Sequence, residues 1–243
     1  MKWGSFGVVH IVSLILGAAL IVGLYFILRR CKPKTQILIL GLLSFSGIIG
    51  VSYDFFAWGS PFQYLPLHLC SLNAMVLPIA VFTRNKTLCN LLLLWSLGAL
   101  MALVVNTVVA ETTLFSPTFC VYYFPHVLEF GIPILMFKLG LVKKDVKCII
   151  STLLITLGVY TAIHFTNLAL NEYFIAQQVL NPAGELVQVN YMYSLWPENP
   201  VLELFWSINP NIYWYMMPVV GIVLVYLAFV YGKQLLALFK KKA

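Results

Sequence analysis

The sequence contains the side chains that nucleophilic catalysis by a thiol needs. A thiol becomes a nucleophile when an imidazole takes its proton, and a carboxylate can orient that imidazole. The candidate catalytic residues are Cys70, His126, His68, Glu129, Asp54 and Asn106. His126 and Glu129 are three residues apart and therefore share one helix face. His68 is two residues from Cys70, roughly on the opposite face unless the chain at Pro66 is irregular, so His126 is the better candidate base.

Each candidate also has a plainer interpretation. Asp54 could cap a helix end, and Asn106 could hydrogen-bond between helices. His126 and Glu129 could bind a metal or form a local structural pair. Cys70 could form a disulfide with Cys120 in an oxidising compartment.

The composition decides what kind of protein carries these residues. The chain has 243 residues, of which 61% are hydrophobic and 9% charged, whereas a soluble domain has roughly 45–50% apolar and about 25% charged residues. Disorder is excluded because the chain is rich in aliphatic and aromatic residues. The net charge of +7 does not indicate nucleic-acid binding, which needs basic residues gathered on a soluble face. The sequence therefore predicts an integral membrane protein.

Seven stretches are long and apolar enough to cross a bilayer as helices. They predict an all-α polytopic bundle of seven transmembrane helices in a single domain, residues 1–243. The third stretch is the shortest and contains Pro66 and Pro78, which predict a kink or a tilt. The predicted spans are 8–28, 36–58, 65–82, 88–110, 121–141, 148–170 and 212–231.

The basic residues predict the orientation of this bundle. Fourteen of the fifteen Lys and Arg residues fall on alternate connections, and only Lys2 lies on the other side. The positive-inside rule then places the N-terminus outside and the C-terminus in the cytoplasm, which requires an odd number of spans. The long connection 171–211 is predicted to be an extracytoplasmic cap, or alternatively an aromatic anchoring belt.

This orientation predicts how deep each polar residue lies in the bilayer. All six catalytic candidates fall towards the outer ends of their spans, and ionisable residues inside spans are functional candidates by default. His164 and Asn167 lie in the last two turns of the sixth span, and Asn190 and Tyr191 lie in the cap. We interpret these four as candidate substrate-binding residues. His10, near the N-terminus, is interpreted as an interfacial histidine.

Two motifs carry a resemblance to a known family. The run Leu65-Pro66-Leu67-His68-Leu69-Cys70-Ser71-Leu72 resembles the signature of the YwaF-like family of bacterial integral membrane proteins. So does Asn190-Tyr191-Met192-Tyr193, followed by an acidic-Asn-Pro turn and Leu202-Glu203-Leu204-Phe205. That family is similar to the eukaryotic transmembrane protein 164 group, acyltransferases that move fatty acyl chains between phospholipids with a Cys and a His. The resemblance implies a nucleophile at His68 or Cys70 and His126 as base.

The sequence also departs from that pattern in the predicted cap. Residues 172–189 look like an insertion, and Asn209-Pro210-Asn211-Ile212-Tyr213-Trp214-Tyr215 replaces the usual Pro-Trp-Pro-Trp-Tyr run. Because both departures lie in the predicted cap, they affect the expected identity of the substrate more than the expected helix bundle.

Three functions remain open from the sequence. In the first, Cys70 and His126 transfer or hydrolyse lipid acyl groups at the outer leaflet, Asp54 or Glu129 holds the imidazole, and Asn106 or Asn190 donates to the oxyanion. In the second, three histidines and a carboxylate hold zinc in a lipid hydrolase. In the third, the protein binds or transports a lipid or peptide without catalysis.

The remaining expectations concern cofactors and location. The sequence has no P-loop, dinucleotide, haem-attachment or C-x-x-C motif, so we expect no cofactor. The expected partners are membrane lipids and not nucleic acid. The expected location is the bacterial cell membrane, with several passes.

Overall fold

The computed structural model describes residues 1–57, 61–106, 109–224 and 226–242. Within these ranges the regular structure is helical, apart from two isolated antiparallel β-bridges. Trp58, the predicted end of the second span, lies outside the described residues, as do positions 107–108 of the fourth predicted span and 225 of the seventh.

The helices follow the apolar stretches of the sequence. The α-helices are α1 Val8–Leu28, α2 Pro33–Ala57, α3 Leu69–Thr83, α4 Lys86–Val104, α5 Pro117–Lys138, α6 Cys148–Ala176, α7 Pro200–Ile208, α8 Tyr213–Met216 and α9 Gly232–Lys242. Two 3₁₀ turns, Pro61–Tyr64 and Tyr191–Tyr193, and two π-helical segments, Met217–Leu224 and Tyr226–Val230, complete the secondary structure.

Five of these helices, α1, α2, α4, α5 and α6, are long and apolar enough to cross a membrane, and α3 is a shorter apolar helix. Their large apolar side chains are widely exposed: Val8 of α1 is 78% exposed and Ile150 of α6 is 70% exposed. Exposed apolar surface on this scale is typical of a protein that contacts lipid. The predicted all-helical class is therefore confirmed, with five helices of membrane-crossing length among the described residues.

The helix boundaries differ from the predicted ones where the backbone is constrained. α3 begins at Leu69 and not at residue 65. Pro66 has no N–H and disfavours helical geometry in the residue before it. The chain there makes a turn, in which the Leu67 N–H donates to the Leu65 carbonyl at 2.7 Å. α6 continues six residues beyond the predicted end, to Ala176. Part of the predicted cap is helical as α7, whose Asn199 side chain accepts from the N–H groups of Val201 and Leu202.

The chain divides into two compact units. The first comprises Met1–Asp54 and Leu69–Lys144, and the second comprises Phe55–His68 and Asp145–Ala243. In the first unit α4 packs against α3 and α5, and α5 packs against α1. One hydrophobic core cluster of this unit is formed by Trp3, Leu103, Phe119, Tyr123 and Val127.

The N-terminal segment is bound to the connection between α4 and α5. The Trp3 and Gly4 N–H groups donate to the carbonyls of Thr112 and Ala110, each at 2.8 Å, and Lys2 forms an ion pair with Glu111. The start of the chain and the α4–α5 connection therefore lie on the same side of the first unit.

His10 stabilises this arrangement from a fully buried position. Its Nδ1 accepts from the Phe6 N–H at 3.0 Å, so Nε2 carries the hydrogen that is donated to the Leu103 carbonyl at 2.7 Å. Both ring nitrogens are thus engaged in structural hydrogen bonds. His10 is a buried histidine and not the interfacial one that the sequence predicted.

Glycines allow α2 to approach its neighbours closely. A Cβ on Gly47 would lie 2.6 Å from the Ala74 Cβ of α3 and 2.7 Å from the Glu129 Oε1 of α5. A Cβ on Gly50 would lie 2.7 Å from the Val121 carbonyl, which has no helical donor because Pro125 lacks an N–H. The two glycines therefore fix how α2 meets the helices that carry Cys70 and Glu129.

We expect Gly47→Ala to destabilise the protein by about 1–3 kcal/mol, because the added methyl overlaps a neighbouring helix and a buried carboxylate. Thermal unfolding in detergent measures this as a lower Tm. Gly158→Ala in α6 is the matched control, since no atom lies within 4 Å of its Cβ. Equal Tm values for the two variants would contradict the close approach at Gly47.

Candidate functional site

The first unit brings three of the catalytic candidates onto two packed helices. Cys70 is the second residue of α3, whereas His126 and Glu129 lie on α5, which packs against α3. The Cys70 side chain is partly exposed and is a free thiol, as is Cys120. The Glu129 carboxyl lies within electrostatic range of the Cys70 thiol. α3 and α5 therefore place a thiol, an imidazole and a carboxyl in one unit.

The hydrogen bond of His126 fixes its tautomer. Its Nδ1 lies 2.7 Å from the backbone carbonyl of Tyr122, one turn earlier on α5. Because a carbonyl oxygen only accepts, Nδ1 carries the hydrogen, and in the neutral ring Nε2 keeps the lone pair that accepts a proton. The imidazole is also stacked on the Tyr122 ring, with 4.2 Å between the ring centroids. His126 is thus buried, oriented and in the tautomer that a general base requires.

The orienting group of His126 is a backbone carbonyl. The sequence predicted that Asp54 or Glu129 would hold this imidazole, but the Tyr122 carbonyl occupies the Nδ1 position. Asp54 lies in the last turn of α2 and is half-buried. A general base needs one fixed partner for its tautomer, whether carboxylate or carbonyl.

Glu129 is buried, with 3% of its surface exposed. Its Oε1 faces the open side of Gly47, and its Oε2 has no hydrogen-bond partner among the described residues. An unpaired carboxyl oxygen away from water is costly. Such a group is therefore a stronger candidate for function than a surface carboxylate.

Asn106 lies just beyond the end of α4, in the contact with the N-terminal segment. Its Nδ2 donates to the Gly4 carbonyl at 2.7 Å, and its buried Oδ1 has no partner within the part of the chain that the structure describes. In this structure the amide holds the N-terminal segment on the helix bundle of the first unit. Within the described ranges, no three or more His, Cys, Asp or Glu side chains converge with metal-binding geometry.

The second unit brings together the remaining candidates. The His68 Nδ1 accepts from the Met192 N–H at 3.3 Å, and its ring lies edge-on to Tyr191. The His164 ring stacks on Trp214 at a centroid distance of 4.3 Å, and its Nδ1 lies 3.2 Å from the Ser194 hydroxyl. His68, His164 and the segment around Tyr191 thus belong to one cluster of polar and aromatic groups.

Two asparagines one turn apart on α6 hold the chain that follows it. Asn171 donates to the Val189 carbonyl and accepts from the Val189 N–H, both at 2.8 Å. Asn167 makes the same pair of bonds with Tyr191, at 2.8 and 3.0 Å, and also donates to Ser194. The side-chain amides replace a missing β-strand partner, so they explain why an extended segment is stable against a helix.

The turn that follows is strained and depends on these bonds. Met192 and Tyr193 have φ values of 54° and 53°, in the left-handed region that non-glycine residues rarely adopt. The Tyr213 hydroxyl donates to the Tyr193 carbonyl at 2.8 Å, and Asn190 donates to the Trp196 carbonyl and to Glu198. Several side chains thus hold a backbone conformation that would otherwise relax.

We expect Asn167→Leu to lower the free energy of unfolding by about 2–4 kcal/mol, because the buried N–H and carbonyl of Tyr191 lose their partners. The measurements are the Tm and the rate of proteolysis between α6 and α7. Thr166→Val is the control, because the Thr166 hydroxyl donates to the Ala162 carbonyl within the same helix. If Asn167→Leu has the same Tm and cleavage rate as the wild type and as Thr166→Val, Asn167 does not have this structural role.

Burial also sets the protonation of two groups in this segment. It raises the pKa of the Glu198 carboxyl, while hydrogen bonds from Asn190 and Trp196 oppose the shift in part. It raises the pKa of Tyr191 to about 12, so the Tyr191 hydroxyl keeps its proton and donates to the Phe62 carbonyl. These polar groups are therefore engaged in holding the backbone.

Sequence reasoning missed one residue of the first unit. Asn73 lies on α3, three residues after Cys70, and its side chain is fully buried. Neither its Oδ1 nor its Nδ2 has a hydrogen-bond partner among the described residues. The spacing from Cys70, one helical turn, was the available signal.

The comparisons with known proteins identify one family. The TMEM164 family matches residues 5–231, which is nearly the whole chain. No curated protein and no solved structure matches the chain. Together with the five apolar helices, the family match confirms the predicted multi-pass membrane protein.

Proposed function

Because this chain belongs to the TMEM164 family, we propose that it transfers fatty acyl groups between membrane phospholipids, with Cys70 as nucleophile and His126 as general base. The observation that carries the proposal is the state of His126: its Nδ1–H is held by the Tyr122 carbonyl, so Nε2 is the proton acceptor, on a helix packed against the one that bears Cys70. A Cys and a His in these roles form the minimal arrangement for acyl transfer through a thioester.

The proposed reaction has two steps with opposite proton movements. In the first, Nε2 of His126 takes the thiol proton, and the Cys70 sulfur attacks the ester carbonyl of a phospholipid. The C–O bond breaks, and His126 returns the proton to the departing glycerol oxygen, which releases a lysophospholipid. In the second, the hydroxyl of another lysophospholipid loses its proton to His126 and attacks the thioester. The C–S bond breaks, and the thiolate regains the proton.

We further propose seven membrane crossings, with the N-terminus outside. The contact of Lys2 with Glu111 supports this, because the chain between them must then cross an even number of times. α1, α2 and α4 alone would make three crossings, so the short helix α3 is the fourth. α5, α6 and the segment from α8 through the second π-helical segment supply the remaining three. The alternation of basic residues supports the same orientation.

This topology supports a site in the outer leaflet of the membrane, and the bacterial cell membrane stays a prediction. Cys70 begins a helix that enters from outside, and His126 lies in the outer half of α5 in this orientation. The ester carbonyls of phospholipids lie near the same depth. Membrane lipids are accordingly the proposed substrates, while the predicted substrate-binding role of His164, Asn167, Asn190 and Tyr191 stays a prediction.

Reconstitution of the purified protein tests the proposal. Vesicles would contain a diacyl phosphatidylcholine with isotope-labelled acyl chains and an unlabelled lysophosphatidylethanolamine, and lipid mass spectrometry would follow the label. We expect label in newly formed phosphatidylethanolamine. Labelled free fatty acid alone would indicate a hydrolase, and loss of that activity with a chelator and its return with zinc would favour the metal enzyme. No transfer and no hydrolysis with lipids of several headgroups would contradict the proposal.

A further inference from the structure

Three helices of the first unit that meet at Gly47 carry buried polar atoms without a partner among the described residues. α2, α3 and α5 meet where Gly47 faces Ala74 and Glu129. Asn73 precedes Ala74, and both polar atoms of its amide are buried and unpaired among the described residues, as is Glu129 Oε2. Ser46, which precedes Gly47, has a buried hydroxyl oxygen in the same condition. The unpaired polar groups thus belong to Glu129, which lies at this helix junction, and to the residues that precede Ala74 and Gly47 in the sequence.

An amide in this condition weakens the fold. Asn73 is 0% exposed, so it has given up its hydrogen bonds to water without replacing them by bonds to other described residues, which is unfavourable. A leucine, whose side chain has the same branching and the same number of heavy atoms, would carry no such penalty. Native proteins pair nearly all of their buried polar groups, and the exceptions are candidates for functional roles.

The position of Asn73 on α3 relates it to Cys70. Residues three apart lie on one helix face, and helical side chains lean towards the N-terminus. The Asn73 amide therefore lies over the turn that begins at Cys70. An acyl group joined to the Cys70 sulfur would therefore lie on the helix face that carries the Asn73 amide.

The other asparagines that the sequence suggested for this task are engaged elsewhere. Asn106 donates from Nδ2 to the Gly4 carbonyl, and Asn190 donates from Nδ2 to Trp196 and Glu198. Asn73 keeps both Nδ2 hydrogens and its carbonyl oxygen unbonded within the described residues. It is the asparagine with unused donors on the helix of the nucleophile.

We propose that Asn73 is a catalytic residue that recognises the carbonyl group of a fatty acyl ester. Its Nδ2 donates a hydrogen bond to the carbonyl oxygen of the bound ester and a stronger one to the oxyanion that forms when Cys70 attacks. This deepens the proposed function, on which its catalytic part rests, because it names the group of the substrate that the protein recognises. The recognised class is an acyl ester lipid as opposed to an ether lipid.

Asn73→Leu separates this role from a structural one. With the acyl-transfer assay, we expect kcat to fall about 100-fold, whereas the Tm stays at or above the wild-type value because an unpaired amide has been removed. The rate of Cys70 alkylation by a small maleimide should stay within twofold, since the thiol and His126 are unchanged. Wild-type kcat in the Leu variant would overturn the catalytic role.

A binding measurement tests recognition without any turnover. In the Cys70→Ala background, the Tm would be compared in micelles doped with a diacyl phosphatidylcholine and with its dialkyl ether analogue, which lacks the carbonyl oxygens. We expect the diacyl lipid to raise the Tm more than the ether lipid does, and Asn73→Leu to remove this difference. Equal stabilisation by the two lipids in the presence of Asn73 would overturn the inference.

The two measurements distinguish failure of the inference from failure of the proposed function. A wild-type protein that transfers no acyl groups but still prefers the diacyl lipid through Asn73 would contradict the reaction and support the recognition. A wild-type protein that transfers acyl groups, with an equally active Asn73→Leu variant and no carbonyl preference, would support the reaction and refute the role of Asn73.

Discussion

Replacing Cys70 by Ala is expected to abolish acyl transfer and leave the protein folded. The proposed reaction passes through a thioester on this sulfur, so its loss should lower the rate about 10⁴-fold or more, as is typical for the removal of a nucleophile. The cost in stability should be small, because Cys70 is partly exposed and forms no disulfide. Initial rates of labelled acyl transfer and the Tm of the same preparation measure both effects.

Cys120→Ala is the matched control for this variant. Cys120 is also a free, partly exposed cysteine of the first unit, on α5, but it has no role in the proposed reaction. The rate of this variant should equal that of the wild type. If Cys70→Ala retains more than about a tenth of the activity, Cys70 is not the nucleophile, and His68 becomes the candidate.

Replacing His126 by Asn is expected to produce the second largest loss, about 10²- to 10⁴-fold in kcat, the range typical of a general base. Asn is chosen because its amide can still donate to the Tyr122 carbonyl, the bond that His126 makes at 2.7 Å, while it offers no proton acceptor at the position of Nε2. The variant should also slow alkylation of Cys70, because the thiol loses the group that takes its proton.

His10→Gln provides the contrast for His126. Both histidines are buried in the first unit, but both ring nitrogens of His10 are engaged in structural hydrogen bonds. Its replacement should lower the Tm and leave the rate of Cys70 alkylation unchanged in the folded protein. If His126→Asn alkylates as fast as the wild type, His126 does not act on the thiol.

Much of the fold could be predicted from the sequence because the membrane requires long apolar helices. α1 coincides with its predicted span, residues 8–28, and α6 begins at the predicted residue. The boundary of α3 was predicted less well, since hydropathy does not register the constraint that Pro66 imposes on the backbone. The extended segment held by Asn167 and Asn171 was also not predicted, because a side chain that replaces a strand partner leaves no periodic signal.

Only those features of the site that depend on residue type and spacing could be predicted from the sequence. The spacing of His126 and Glu129 placed both on one helix, and the structure has both buried on α5. Two features of the site could be recognised only in the folded structure. They are the Tyr122 carbonyl that fixes the imidazole of His126, and the amide of Asn73, which has no partner among the described residues. A backbone acceptor is present at every residue and an asparagine in an apolar helix is usually paired, so neither stands out in the sequence.

The proposed acyl enzyme can be observed directly by intact-protein mass spectrometry after brief incubation with a phospholipid of defined acyl chain and no acceptor. The proposed mechanism predicts a mass increase of one acyl group, which neutral hydroxylamine removes, on the peptide that contains Cys70. The adduct should be absent from Cys70→Ala and should accumulate more slowly in His126→Asn. Acyl transfer without an adduct on Cys70, or an adduct on another residue, would contradict the thioester mechanism.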